Sequence, residues 1–190
     1  MTADLGGLAL PPDLPVPVDD GAAAHLTGLA LPSLALPATS GPDVVLADQP
    51  GRTVVYAYPR TGRPDVQVAP GWDAIPGARG CTPESCGFRD HHAELLRAGA
   101  GAVFGLSTQT SDYQREMVRR LGLPFAVLSD AAFALTDALR LPTFTFEGTR
   151  LLRRLTLVLR DGTIEHVFYP IFPPDGHAEE VLRWSSAHPG

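Results

Sequence analysis

Between Thr53 and Leu139 strand patterns and helical patterns take turns along the chain, and this alternation leaves few folds open to it. Thr53-Val54-Val55-Tyr56-Ala57-Tyr58-Pro59 is β-branched and aromatic and is stopped by proline, which predicts a central strand. A helix is expected from Thr82, with Phe88, His92, Leu95 and Leu96 at helical spacing, ending near Gly99. Residues 101–106 then read as a strand, 111–121 as a helix capped by Ser111, 125–128 as a strand and 131–139 as a helix. Repeated strand-then-helix units imply a sheet with parallel strands and helices on its faces, so the fold class is α/β. Residues 154–159 and 164–169, joined by Arg160-Asp161-Gly162-Thr163, predict a hairpin, and 176–185 a closing helix.

The flanks and gaps are less regular. Residues 1–22 are rich in Pro, Gly, Ala and Asp without a period and read as a flexible or loosely docked extension to a domain spanning 23–190. Residues 29–36 suggest a short edge strand and 43–46 another short piece. Residues 60–80 contain Gly62, Pro64, Pro70, Gly71 and Pro76, and exceed the roughly two to six residues usual between a strand and a helix. Such a segment is either functional or disordered.

Composition removes several classes of function. A net charge of −6 and no clustered cations argue against nucleic acid as a partner. No run approaches the roughly 18 apolar residues of a membrane helix. The first arginine is Arg52 and prolines 11, 12, 15 and 17 interrupt the early apolar run, so no secretory signal is expected and a cytoplasmic location follows. The six histidines have no zinc-type spacing with the cysteines, and neither a metal nor another cofactor is expected.

The two cysteines, Cys81 and Cys86, are separated by four residues where the helix begins, and in a reducing compartment such a pair points to thiol chemistry rather than a structural bridge. Thr82 or Cys81 is expected at the cap, Pro83 in the first turn, and Glu84 as a complement to the positive helix end. Unpaired amide donors there, with Arg79 and Arg89 nearby, favour a Cys81 thiolate. Five helical steps turn about 500° and rise about 7.5 Å. A disulfide needs Cα atoms within about 7 Å, so bridging the pair requires the helix start to unwind.

Cys81-Thr82-x-Glu84-x-Cys86-x-Phe88-Arg89-Asp90, after a Val-Val-Tyr-x-Tyr-Pro strand, resembles the peroxiredoxin Q, or bacterioferritin-comigratory, class of peroxiredoxins. Gly105-Leu106-Ser107, Leu123-Pro124-Phe125, Leu128-Ser129-Asp130, Arg154-x-Thr156, Asp161-Gly162 and the segment from Gly176 to Leu182 follow in the family order, so the resemblance covers residues 26–187. It implies a thioredoxin-like fold with a central mixed sheet flanked by helices. It implies a monomer in which Cys81 attacks hydrogen peroxide or an organic hydroperoxide, Cys86 resolves the sulfenic acid as an intramolecular disulfide, and thioredoxin or a similar dithiol restores both thiols. The family's active-site arginine falls on Arg154. Strand alternation sends Arg153 to the opposite face, so only one of the two can reach Cys81.

The chain also departs from the family. The proline seven residues and the hydroxyl residue three residues before the first cysteine are Ala74 and Ala78 here, and about fifteen extra residues, among them Trp72, precede Cys81. Thr61 supplies the hydroxyl if the insertion folds back, and backbone amides near Gly80 and Cys81 are the other source of donors. The segment between Leu139 and Arg154 differs too, with Pro142, Phe144 and Phe146 expected to line a modified pocket. Two other readings stay open from the sequence: an enzyme of this fold acting on a larger metabolite, and a redox sensor without turnover.

Overall fold

A computed structural model describes residues 9–189, and the first eight residues of the expected extension lie outside them. In chain order the elements are β1 (Ala35–Leu36), β2 (Val44–Val45), β3 (Arg52–Ala57), α1 (Cys81–Asp90), α2 (His92–Arg97), β4 (Ala100–Ser107), α3 (Ser111–Leu121), β5 (Val127–Ser129), α4 (Ala134–Leu139), β6 (Thr143–Phe146), β7 (Thr149–Leu152), β8 (Leu155–Arg160), β9 (Thr163–Phe168) and α5 (His177–Ala187). Five strands form one mixed sheet in the order β5-β4-β3-β8-β9. Strands β3, β4 and β5 run parallel, β8 pairs antiparallel with β3, and β9 pairs antiparallel with β8 as the expected hairpin.

Strand β3 is central, and all six of its residues are buried. That explains its unbroken apolar run, since both faces of a covered sheet need apolar side chains. Val54, Tyr56 and Tyr58 enter a core with Phe88, Leu95, Met117 and Val181, whereas Val55 and Ala57 face Leu26, Leu36, Leu135 and Leu157 on the other side. Tyr56 determines where α1 sits. Its ring stacks on Phe88 at 4.3 Å and its hydroxyl donates to Ser85 Oγ at 3.2 Å. A Cβ at Gly105 on the neighbouring strand would lie 2.9 Å from the Tyr56 hydroxyl, so only hydrogen fits there.

Several local expectations are corrected. Residues 29–36 do not form one edge strand: Pro32 and Pro37 interrupt it, Ala30 makes a single bridge to Thr163, and only Ala35–Leu36 pairs, with β2. The helix expected to run unbroken to Gly99 is divided at His91, whose ring meets Glu94 at 2.7 Å. Helix α3 is capped by Thr110, not Ser111; the Thr110 hydroxyl accepts from the Tyr113 amide.

The largest surprise joins the two segments that depart from the family. β6 and β7 form a hairpin whose two turn residues, Glu147 and Gly148, have φ of 47° and 76°, as a tight two-residue turn demands. Its Phe144 and Phe146 pack on Trp72 of the insertion at 6.0 and 5.2 Å. With Ala78, Ile75 and Leu151 they form a separate small core. Residues 60–80 are therefore folded against this hairpin, and the two irregularities are one structural unit.

Candidate functional site

Cys81 is the first residue of α1, and the residue that makes this possible is Gly80. The cap was expected at Thr82 or Cys81. It is Gly80, with φ of 104° and no side-chain cap bond, and a Cβ there would come within 2.3 Å of Pro174 Cγ. A left-handed backbone and a close neighbour both call for glycine.

Arg154 occupies the two-residue link between β7 and β8 and is buried at 3% exposure. Its Nη2 donates to Cys81 Sγ at 3.2 Å and to the carbonyls of Ala78 and Arg79 at 3.2 and 3.1 Å. Nε donates to Gly77 O at 3.2 Å, and Nη1 donates to Glu84 Oε2. The planar fork is thus held by three consecutive carbonyls, one carboxylate and the sulfur, which leaves it little freedom to turn. The Arg153 guanidinium instead lies 5.8 Å from the centre of the Phe144 ring. Of the two arginines, Arg154 is the one that meets Cys81.

Glu84 was expected as a complement to the positive helix end; it is fully buried there and paired with Arg154. Its three-residue offset from Cys81 puts both on one helix face. Around them, Thr156 Oγ1 lies 2.8 Å from His177 Nε2, and His177 Nδ1 lies 2.9 Å from Glu180. Sequence reasoning missed His177 because its partners come from β8 and the last helix.

The backbone amide of Arg60, three residues past β3, favours the charged form of the Cys81 sulfur. Thr61 is buried beside it, but its hydroxyl donates to Gln109 at 3.3 Å. Cys81 opens into a cavity of about 730 Å³ walled largely by residues 60–69, with Gln109, Tyr113 and Arg120 opposite. Pro142, Phe144 and Phe146 are not among its lining residues; Phe144 instead lines a second cavity of about 270 Å³ with Arg153 and Arg154. Cys86 does not line the larger cavity either; at 6% exposure it belongs to the core containing Phe88 and Met117.

The electrostatics also differ from expectation. Burial pushes the Cys81 thiol up, opposed by Arg154 and the Arg60 amide and reinforced by Glu84. Burial likewise pushes the Glu84 carboxyl up, and Arg154 and His177 pull it back. One guanidinium faces two acids, so losing a proton from one makes the other harder to ionise. The helix start alone does not yield a depressed cysteine pKa. Because the thiolate is the nucleophile, first oxidation should speed up as pH rises. Glu84→Gln keeps an acceptor for Arg154 but removes the competing charge, and should move both the thiolate absorbance titration and the pH–rate profile to lower pH. An unmoved or upward profile would show that Glu84 does not compete with Cys81 for Arg154.

Among the described residues no group of three His, Cys, Asp or Glu side chains is placed to hold a metal ion, and no helix is long and apolar enough to cross a membrane.

A mixed sheet with helices on both faces and a cysteine at the first turn of a helix following the central strand defines a thioredoxin-like protein. Residues 26–182 match the Redoxin family. Peroxiredoxin Bcp of Escherichia coli is 32% identical over 164 residues, covering 83% of this chain and 93% of that protein. The chloroplastic peroxiredoxin Q of Oryza sativa subsp. japonica is 30% identical over 145 residues, covering 76% of this chain, which spans only 64% of that protein's length. The crystal structure of peroxidoxin BcpB from Mycobacterium tuberculosis superposes with a TM-score of 0.68 at 24% identity, covering 87% of this chain and all of that one. The chain belongs to the Redoxin family, in the peroxiredoxin Q/Bcp class.

Proposed function

We propose that this chain is a thiol-dependent peroxidase in which Cys81 is the peroxidatic cysteine, Cys86 the resolving cysteine and Arg154 the group that stabilises the developing charge. The observation that carries the reading is the 3.2 Å contact from Arg154 Nη2 to Cys81 Sγ at the edge of an open cavity. The Cys81 thiolate attacks the terminal oxygen of ROOH. The S–O bond forms as the O–O bond breaks, sulfur is oxidised to a sulfenic acid, and RO⁻ leaves and takes a proton from solvent to give ROH. Arg154 favours this step by facing the charge that moves onto the leaving oxygen. The Cys86 thiol then attacks the sulfenic sulfur, the disulfide forms, and water departs. Thioredoxin or a similar dithiol returns both cysteines to thiols, and the chain works as a cytoplasmic monomer. Relatives named as peroxiredoxins favour this over a diverted metabolite enzyme or a sensor without turnover.

Helix α1 holds both cysteines reduced and apart. Bridging them requires its first turns to unwind, which separates Cys81 from the Arg154 cage. Cys86→Ser should therefore consume about one equivalent of peroxide, carry one added oxygen on Cys81 by mass spectrometry, and stop or overoxidise. In the unmutated protein, oxidation should remove hydrogen-exchange protection from residues 82–88 and leave β3, β4 and β8 protected. Equal protection of 82–88 in both states would remove Cys86 from the resolving role.

A further inference from the structure

We propose that the inserted 60–80 segment builds, beside Cys81, a binding site for organic hydroperoxides that carry a carboxylate, with Arg60 and Arg63 as the anion contact. The proposal rests on the peroxidase reading of Cys81 and names the substrate class of that site.

Hydrogen peroxide has two heavy atoms, whereas the cavity holds about 730 Å³, inside the range of roughly 300–1,000 Å³ typical of sites for organic ligands. The lining includes Arg60, Arg63, Arg79 and Arg120 and no aspartate or glutamate, although the chain as a whole carries a net charge of −6. Two of these cations are already matched: Arg79 pairs with Asp73 at 3.2 Å and Arg120 with Glu116 at 2.8 Å. The other two have no carboxylate partner among the described residues. Arg60 lies over Trp72, 4.3 Å from the ring centre, and Arg63 lies over Tyr113, 5.0 Å from its centre. Stacking orients a guanidinium while leaving its edge N–H donors pointing outward, the geometry that suits a carboxylate. Arg60 and Cys81 line the same cavity, and the Arg60 backbone amide favours the charged form of the Cys81 sulfur, so this cation belongs to the reacting centre's own wall.

The same wall has an apolar part. Val66 and Val68 are 61% and 47% exposed, unusual for branched aliphatic side chains beside a cavity. An alkyl chain covers them while its carboxylate meets the arginines and its hydroperoxide meets Cys81 and Arg154. The chemistry is that of the step above, with a hydroxy acid as the ROH product. An anionic thiol reductant shares the carboxylate, but Cys81, which attacks the peroxide, lines the cavity and Cys86 does not.

The test is single-turnover oxidation of the reduced full-length protein by hydroperoxyoctanoic acid, its methyl ester and hydrogen peroxide, below micelle-forming concentrations. The acid is expected to react about tenfold faster than the ester at low salt, the scale of one charge-assisted hydrogen bond. The advantage should shrink as salt rises. It should fall towards unity in the Arg60→Gln/Arg63→Gln double variant and survive in part in Arg63→Lys. The ratio is internal to each protein, and if the double variant does not fold, Arg63→Gln alone carries the test with a fall of about threefold or more, half of that bond's worth. Equal rates for acid and ester in the unmutated protein, or a ratio unchanged in the glutamine variants, overturn the proposal. So does a carboxylate preference seen only when glutathione and its ethyl ester reduce the disulfide, which would assign the arginines to the reductant. If hydrogen peroxide and the ester oxidise Cys81 without preference for the acid, this inference alone fails; if none of the three oxidises it, the peroxidase reading fails too.

Discussion

Cys81→Ser is expected to reduce peroxide consumption to the uncatalysed background in the presence of excess dithiol. Of the two cysteine sulfurs, only that of Cys81 combines an opening into the cavity with a donor from Arg154. A serine hydroxyl in the same place would not ionise, because burial that already pushes a thiol up penalises an alkoxide far more. Cys86 cannot take over, since it sits in the core and its own thiol is pushed up by burial. The measurement is peroxide loss with dithiothreitol in excess, with the fold checked by circular dichroism. Activity kept in Cys81→Ser and lost in Cys86→Ser would reverse the assigned roles.

Arg154→Ala should slow the first oxidation by about 10²–10³, the scale of removing one preorganised charge-stabilising donor. The later disulfide step should change far less, because the guanidinium faces Cys81 and not Cys86. The variant also leaves Glu84 buried without its cation and strips a donor fork from the Gly77, Ala78 and Arg79 carbonyls. Breaking a buried pair in this way costs about 3–5 kcal/mol, so a lower melting temperature should accompany the slower chemistry. Arg154→Lys, which keeps the charge but cannot reach all five acceptors, should fall between the two. Stopped-flow oxidation separates these effects from folding. Arg153→Ala is the control, and equal slowing there would contradict the opposite directions of the two side chains.

Much of the fold was legible from one dimension. The apolar β3 run, the helical spacing around Phe88 and Leu95, and the Asp161-Gly162 turn each carry their period in consecutive residues, and β/α alternation restricts how they assemble. Arg154 was legible from the family resemblance, with strand alternation adding only that one of the two adjacent arginines can reach Cys81. The hairpin at residues 143–152 also had a local signal in Thr-Phe-Thr-Phe before Glu147-Gly148, and its meaning was obscured because its partner lies some seventy residues earlier.

What the amino-acid sequence determined by itself were the properties that depend on neighbours along the chain: the order of strands and helices, the start of a helix near two cysteines, and the length of the loop before them. Tertiary structure alone decided the properties that depend on neighbours in space. Gly80 became the cap because Pro174 of a distant segment closes over it. Glu84 became the partner of Arg154 because the link between β7 and β8 delivers a guanidinium to α1. The insertion became an ordered wall because Trp72 found Phe144 and Phe146. The direction of the Cys81 pKa was decided in the same way: a helix terminus acts locally and favours the thiolate, but burial and a second acid arrive only with the fold, and in a low-dielectric interior they outweigh it.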